Sequence, residues 1–165
     1  GFCRRGHFVE GISGAQFATA TAVDLLRSIN DRGTLEKGEV LVLSASDPAQ
    51  PYGAALPWPS AADLGSAAPR RNPGALVIVL AGRPILYLER GGKTALTFEG
   101  SDLSEDRRTE AARELVATCQ RGRINDFVIE LIDGVHPRST SWFDPLRAAG
   151  FNLTPRGLAY TRPPA

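Results

Sequence analysis

The sequence predicts an α+β fold: a mixed or antiparallel sheet that curls towards a β-barrel, with two to three packed helices. Residues 73–99 carry this prediction, because three strand-like runs follow one another there. Gly91 and Gly92 supply the positive φ values of a tight hairpin turn, so the runs form an antiparallel meander. The first run, 75–80, is apolar on both faces and therefore belongs in the interior. Pro84 lacks an N–H and fits the start or edge of the second strand.

Three helices are predicted from apolar spacing and from their capping residues. A helix between residues 98 and 127 is long enough to be a crossover. Because the meander is antiparallel, a purely parallel α/β fold is unexpected. Each helix is predicted from a capping residue, an acidic residue three positions later and a glycine that ends it. For the first helix these are Thr21, Asp24 and Gly33; for the second, Asp102, Glu105 and Gly122; for the third, Ser141, Asp144 and Gly150.

The remaining chain consists of further strands and two contrasting loops. Strands are predicted at 40–43, 127–132 and 158–161. Residues 44–60 contain four prolines, which restrict φ and favour an ordered loop lying on the body. Its aromatic residues, Tyr52 and Trp58, either pin this loop to the core or stack on a base. Residues 60–73 are small and polar, and are predicted to form a mobile surface loop.

Composition bounds the class of protein. The chain has 165 residues, 42% of them hydrophobic and 22% charged, with a net charge of +1. These values are typical of a soluble globular domain, and the net charge gives no global case for nucleic acid or for an acidic partner. Seventeen arginines accompany two lysines; this bias reflects either a GC-rich genome or a supply of forked phosphate donors. No apolar run approaches a membrane span of about 20 residues, and two cysteines form no disulfide framework. A cytoplasmic location is expected.

The first 18 residues contain short strand-like pieces at 2–3, 7–9 and 16–18, separated by glycines. A basic turn between short strands is typical of the wing of a winged helix. Methionine is absent, even at position 1, so we expect a piece of a longer protein.

Four blocks of sequence resemble one family. They are CRRGHFVEGISGAQFA, ASDPAQPYGAALPWP, ALVIVLAGRPILYLERGG and LRAAGFNLTPRGL. Together they look like the C-terminal region of the large helicase-related (Lhr) superfamily 2 DNA helicases. That region is similar in layout to the winged-helix and barrel architecture of the AlkZ/YcaQ DNA glycosylases.

The resemblance implies a parent protein that unwinds DNA, or an RNA–DNA hybrid, in the bacterial cytosol during DNA repair. It implies neighbouring winged-helix domains, and ATP and Mg²⁺ in the helicase core, while a homo-oligomer and a monomer both stay open. It also implies a division of this chain into the tail of a winged helix over 1–33 and a barrel-like α+β module over 34–165. This chain has no GxxxxGK[ST] loop, so it is not expected to bind those cofactors. The Gln-x-Gln motif of AlkZ-type enzymes is also absent, since Gln16, Gln50 and Gln120 are isolated.

Three groups of basic residues are candidates for phosphate contacts. Each has an alternative interpretation: a solvated turn for the first, a solubilising pair for the second and an ordinary polar hairpin tip for the third. The groups are Arg4, Arg5 and His7; Arg70 and Arg71; and Arg90 and Lys93.

Carboxylates and metal ligands are less distinctive. Asp47 and Asp144 are candidates for a general base or for polarising a water, although an Asp before Pro, as at position 47, is also a turn former. One loose Cys2His2 combination exists, with unsuitable spacing for zinc, so no metal is predicted. Its members are Cys3, His7, Cys119 and His136.

Two functions follow from these observations. The first is a module that binds nucleic acid or organises the C-terminal assembly of a helicase, without chemistry of its own. The second is a part of a DNA N-glycosylase site, for uracil or an alkylated base, in which Asp47 or Asp144 activates the reaction. A contiguous arginine surface would favour binding, and dispersed arginines would favour scaffolding.

Overall fold

The computed structural model describes residues 2–30, 38–60, 68–98, 103–122 and 124–162. It is an α+β fold, as predicted. In chain order the elements are β1 (Arg4–Gly6), β2 (Gln16–Ala18), α1 (Ala20–Asn30), β3 (Val40–Ser44), β4 (Leu76–Leu80), β5 (Arg83–Leu88), β6 (Thr94–Thr97), α2 (Glu105–Arg121), β7 (Phe127–Ile129), β8 (Leu131–Ile132), a short 3-10 helix (Pro137–Ser139), α3 (Phe143–Ala148), β9 (Asn152–Thr154) and β10 (Gly157–Tyr160).

The predicted meander is confirmed as the centre of a five-stranded sheet of order β3-β4-β5-β6-β8. Antiparallel pairs join β3 to β4, β4 to β5 and β5 to β6. Pro84 occupies the start of β5, where the register shifts between Ile78 and Val79. Such an irregularity accommodates the missing donor in a strand that is central rather than at the edge.

Strand β4 is buried on both faces, as its composition predicted. Ile78 and Leu80 join the larger core, which includes Ala111 and Leu115 of α2. Val77 and Val79 point to the opposite side and join a second core that contains Tyr87, Leu96 and Phe98. Since successive strand side chains alternate between faces, one apolar run serves two cores.

Helix α2 is the predicted crossover, because β6 before it and β8 after it pair in parallel. The predicted cap, Asp102, lies outside the described residues. Ser104 is the cap instead, and its hydroxyl accepts a hydrogen bond from the N–H of Arg107. A serine at this position satisfies an N–H that the first helical turn leaves free. Gly122 ends the helix, as predicted.

The predicted strand at 127–132 is wrong as a single element. Both Glu130 and Leu131 donate their N–H groups to the carbonyl of Lys93, so the chain bends between β7 and β8. Strand β8 joins the five-stranded sheet, whereas β7 joins a second sheet of order β7-β10-β9. Strand β9 was not predicted from the sequence, because its three residues are too few to show a period.

Two predicted helix caps need correction. Helix α1 begins earlier than expected: Thr19, not Thr21, accepts from the N–H of Ala22 at 3.2 Å. Helix α3 has Trp142 at its cap position with no side-chain hydrogen bond, in place of Ser141. Trp142 is buried, so packing holds this end of α3. The predicted stop of α1, Gly33, lies outside the described residues.

The sheet does not close in the described part of the chain, where β3 and β8 are its outer strands. The predicted curling towards a barrel is therefore not confirmed. The same part of the chain contains no helix with the length and apolar character needed to cross a membrane.

The proline-rich loop is ordered on the second core, as predicted. Trp58 stacks on Phe98, with ring centroids 6.0 Å apart and an interplanar angle of 9°. It also meets Tyr87 edge-on at 5.9 Å. The hydroxyl of Tyr52 donates to the carbonyl of Gly82 at 2.9 Å. These contacts favour the interpretation that both aromatic residues pin the loop.

We expect the turn between β5 and β6 to tolerate alanine at Gly91 and to be destabilised by alanine at Gly92. Gly91 and Gly92 have φ values of 83° and 78°. A Cβ at Gly92 would lie 2.2 Å from Cδ2 of Phe127, whereas at Gly91 nothing lies within 4 Å. Gly91→Ala should cost about 1 kcal/mol from φ alone. Gly92→Ala should cost about 3 kcal/mol, because steric overlap is added. Urea unfolding measures both, and equal costs would contradict this packing.

The two thiols should react very differently. Cys3 is exposed, whereas Cys119 is buried in the larger core, and burial raises the pKa of the Cys119 thiol to about 11. Only the thiolate is nucleophilic. At pH 8 a thiol reagent such as DTNB should therefore modify about one thiol per chain rapidly. The second should follow only in denaturant. Rapid modification of both thiols in the native protein would refute the burial of Cys119.

Candidate nucleic-acid interface

The wing places its basic residues on a two-stranded ribbon rather than in a turn. Strand β1 pairs with β2, with Arg4 opposite Ala18 and Arg5 opposite Phe17. The sequence expectation of strands at 2–3 and 7–9 is therefore wrong. Neighbouring residues of a strand point to opposite faces, so Arg4 and Arg5 lie on opposite faces of the ribbon. Both are exposed, as is His7.

One side chain organises the loop of the wing. The Gln16 carbonyl oxygen accepts from the N–H groups of Phe8 at 2.7 Å and Val9 at 2.8 Å. Its amide nitrogen donates to the carbonyls of Val9 at 2.9 Å and Ile12 at 3.0 Å. A glutamine that uses both ends of its amide in this way replaces backbone hydrogen bonds that the loop cannot make. The role of Gln16 was missed in the sequence.

Arg71 is committed to the fold. Its guanidinium group donates to the carbonyls of Gln50 at 2.6 Å and Tyr52 at 3.3 Å. It also donates to those of Ser46 at 3.3 Å and Asp47 at 3.1 Å. Four carbonyls take up most of the five donors of an arginine. These contacts favour a structural role for Arg71 over a phosphate contact.

Arg70 lies on the segment formed by residues 68–75, which runs beside the β5–β6 hairpin. The hydroxyl of Tyr87 donates to the backbone carbonyl of Arg70 at 3.2 Å. At the hairpin tip, Arg90 lies against the segment, since its Cγ would be 3.3 Å from a Cβ at Gly74. Arg70, Arg90 and Lys93, which the sequence presented as two separate groups, are therefore brought to one region. All three are exposed, and we name them the hairpin patch.

A cavity of about 270 Å³ opens beside the hairpin patch. We name it the hairpin cavity. Its lining combines charged and polar side chains with an apolar surface. The lining residues are Ala68, Arg70, Asn72, Tyr87, Glu89, Thr94 and Leu96.

Strand register explains why these side chains meet. Tyr87 pairs directly with Leu96, and the N–H of Glu89 donates to the carbonyl of Thr94 at 2.9 Å. Residues two apart share a face of a strand, so Tyr87 with Glu89 and Thr94 with Leu96 form one wall. Alternation at these positions was the sequence signal that could have found Glu89 and Thr94.

The floor of the hairpin cavity is a buried tyrosine in a charged setting. Burial raises the pKa of Tyr87 above its ordinary value. The negative charge of Glu89 raises this pKa further, and the positive charge of Arg70 lowers it by less than burial raises it. The phenol is therefore neutral at physiological pH and acts as a hydrogen-bond donor.

The two predicted carboxylates lie away from this cavity. One oxygen of Asp47 accepts from the N–H of Ala49 at 2.8 Å, as expected of a turn former. Asp144 is exposed in the first turn of α3. Neither lines the hairpin cavity, whereas Glu89 does. Asn72 and Glu89 were not singled out in the sequence.

The cysteines and histidines are not gathered. Cys119 lies on the buried face of α2, whereas Cys3 is exposed next to β1 of the wing. His136 uses Nδ1 to accept from the N–H of Arg138 at 3.3 Å. Among the described residues, no three His, Cys, Asp or Glu side chains are close enough together to hold a metal ion.

Comparison of the sequence with known proteins identifies its family. Residues 1–38 match the family model of the winged-helix domain of large helicase-related protein. The chain is 44% identical over 167 residues to the Lhr helicase/probable uracil glycosylase of Mycolicibacterium smegmatis, which covers 96% of this chain and 11% of that protein. It is 38% identical over 155 residues to the Lhr helicase/uracil glycosylase of Escherichia coli, with 93% and 10% covered.

The chain thus spans about a tenth of the length of the curated relatives that it matches. The match to the winged-helix model agrees with the ribbon and helix at residues 4–30. The two relatives cover the wing, the five-stranded sheet and the hairpin cavity together. The chain belongs to the Lhr family and corresponds to a C-terminal region of an Lhr-type helicase.

Proposed function

We propose that this chain is an accessory module of an Lhr-type ATP-dependent DNA helicase active in DNA repair, and that it holds DNA without chemistry of its own. The hairpin patch carries the proposal. Arg70, Arg90 and Lys93 lie in one region and, within the described ranges, form no ion pair. Their donors are therefore available to a ligand.

Other arginines contrast with the hairpin patch. Arg27, Arg121 and Arg156 pair with carboxylates at 3.5, 2.5 and 2.5 Å. Arg71 and Arg108 donate to backbone carbonyls. These five arginines support the fold, so the arginine excess by itself says little about binding. What supports DNA binding is that the three cations of the hairpin patch lie in one region and form no ion pair within the described ranges.

The chemistry of the hairpin patch suits a DNA backbone. Guanidinium and ammonium groups make charge-assisted hydrogen bonds to phosphate oxygens, and these contacts position a strand without reading its sequence. The wing adds the exposed residues Arg4, Arg5 and His7, and because Arg4 and Arg5 lie on opposite faces of the ribbon, each face offers one arginine to a phosphate. In the parent protein, neighbouring winged-helix domains would extend the same surface, while ATP and Mg²⁺ would act in the helicase core.

A second candidate is part of a DNA N-glycosylase site, in which the hairpin cavity and a carboxylate of this chain act on a damaged base. The observation that favours it is the name of both relatives, which includes uracil glycosylase. Asp47 and Asp144 are the carboxylates expected from the sequence. Glu89 has the better position, since it lines a cavity together with Asn72.

DNA binding should depend on salt through the hairpin patch. We expect the slope of log affinity against log salt for single-stranded DNA to fall by about 1.4 in the double variant Arg90→Ala/Lys93→Ala, because each lost phosphate contact contributes about 0.7. Arg4→Ala/Arg5→Ala should lower the slope by a similar or smaller amount. The slope is measured by fluorescence anisotropy at salt concentrations from about 50 to about 300 mM, a range in which exposed charges are progressively screened.

The matched control is Arg113→Ala/Arg138→Ala, which removes the same charge from exposed positions elsewhere. It should leave the slope unchanged. An equal loss in the control and in the hairpin variant would show that net charge alone attracts DNA, and the proposed site would be wrong.

The glycosylase candidate is tested by incubating the chain, and the same chain within its parent protein, with uracil-containing DNA and cleaving abasic sites with alkali. If the hairpin cavity serves the reaction, Glu89→Gln should lower the rate at least about tenfold, as expected for loss of an acid–base group. Asp47→Asn and Asp144→Asn should retain it. Activity that survives Glu89→Gln but not Asp144→Asn would restore the assignment made from the sequence.

A further inference from the structure

We propose that the hairpin cavity binds one unpaired nucleobase of a DNA strand, while Arg90 and Lys93 hold the phosphates next to it. This inference rests on the proposed DNA-binding function and adds to it a site for the base. It assigns roles to Asn72, Glu89 and Thr94. Within the described ranges, the side chains of these three residues form no hydrogen bond with the rest of the chain.

Size is the first argument. The hairpin cavity has a volume of about 270 Å³, many times the roughly 30 Å³ that a water molecule occupies. It lies just below the range of about 300–1,000 Å³ typical of small-molecule sites. There is room for a single planar ring system, whereas a base pair with its two sugars would not enter.

Charge decides which class of small ligand fits. Arg70 and Glu89 line the same hairpin cavity. A bare phosphate would be repelled by the Glu89 carboxylate, and a bare metal cation by the Arg70 guanidinium. A neutral ligand that carries both donors and acceptors on its edge satisfies both groups. The edge of a nucleobase has this character.

The neutral polar groups extend the match. The Asn72 side chain offers an amide N–H and a carbonyl oxygen, and Thr94 offers a hydroxyl that donates or accepts. Paired donors and acceptors of this kind are how proteins read the Watson–Crick edge of a base taken out of the stack. Because Asn72 is exposed and Thr94 half-buried, both can exchange water for a ligand.

The apolar floor is held rigid before any ligand arrives. Tyr87 is fixed by its hydrogen bond to the Arg70 carbonyl and by the edge of Trp58, with an interplanar angle of 72°. Leu96 lies directly across the strand pair from Tyr87. Tyr87 and Leu96 are only 3% and 2% exposed, so a base entering the hairpin cavity would touch the narrow part of each side chain that reaches the floor, and its main contacts would be with the polar groups on the rim.

The position of the hairpin patch completes the site. Arg90 and Lys93 belong to the turn that joins the two strands lining the cavity, and Arg90 packs against Gly74 of the segment that carries Asn72. Phosphates on either side of a bound base therefore fall within reach of this turn. The same hairpin supplies the base site and the backbone site.

The test compares pentathymidine with a strand of the same length and charge that lacks its central base, each labelled and followed by anisotropy with the whole chain. The intact strand should bind at least about tenfold more tightly, since the hydrogen bonds to the edge of the base are lost without it. Asn72→Ala, Glu89→Gln and Thr94→Val should each remove most of that preference, which is read as the ratio of the two affinities so that the change in net charge in Glu89→Gln affects both strands alike.

Asn152→Ala and Glu39→Gln are the matched controls, because both residues are exposed on other elements and should preserve the preference. Circular dichroism confirms that each variant is folded. Equal binding of the two strands by the native chain would overturn the base site; if Arg90→Ala/Lys93→Ala then still lowers the salt slope, the proposed function stands. Equal weakening of both strands by the cavity variants also overturns the base site. If neither strand binds, both proposals fail together.

Discussion

The structure depends on the burial of both faces of the β4–β5 pair. Among the described residues, ten of the twelve largest fully buried side chains belong to the larger core, and five of these ten, including Ile78 and Leu80, lie on β4, β5 and α2. At about 25 cal/mol per Å² of apolar surface, such burial is the main favourable contribution to folding. A central strand with two apolar faces must be covered twice, and the chain does so with unlike elements. Helix α2 covers one face and the proline-rich loop covers the other.

The second cover creates the candidate site. A loop has few apolar residues to offer, so Trp58 supplies most of the contact through its stacking on Phe98 and its edge contact with Tyr87. Arg71 ties the returning segment to the same loop through four carbonyl groups. The segment with Arg70 and Asn72 is thereby held beside the β5–β6 hairpin. The hairpin cavity lies between this segment and the strands of the β5–β6 hairpin.

Close packing at the turn links the two sheets. The β5–β6 turn lies against Phe127 of the second sheet, and Phe127 itself packs against Phe151 and Tyr160. The carbonyl of Lys93 receives two N–H groups where β7 passes into β8. A surface turn that is anchored in this way has a defined shape. The backbone of Arg90 and Lys93 is therefore held in place, so only the side chains must be ordered when a ligand binds, which favours binding.

Local patterns in the sequence determined the meander, the crossover helix and the family. These are signals of short range: the six-residue apolar run at 75–80, two consecutive glycines at a turn and an apolar stripe ending at Cys119. Tertiary structure decided the rest, because it depends on residues far apart in the chain. The bend at Glu130 is set by a carbonyl at Lys93, and the roles of Arg71 and Asn72 are set by a loop some twenty residues earlier and a hairpin some fifteen residues later. No local spacing encodes such pairings, since they arise only when the two cores are packed.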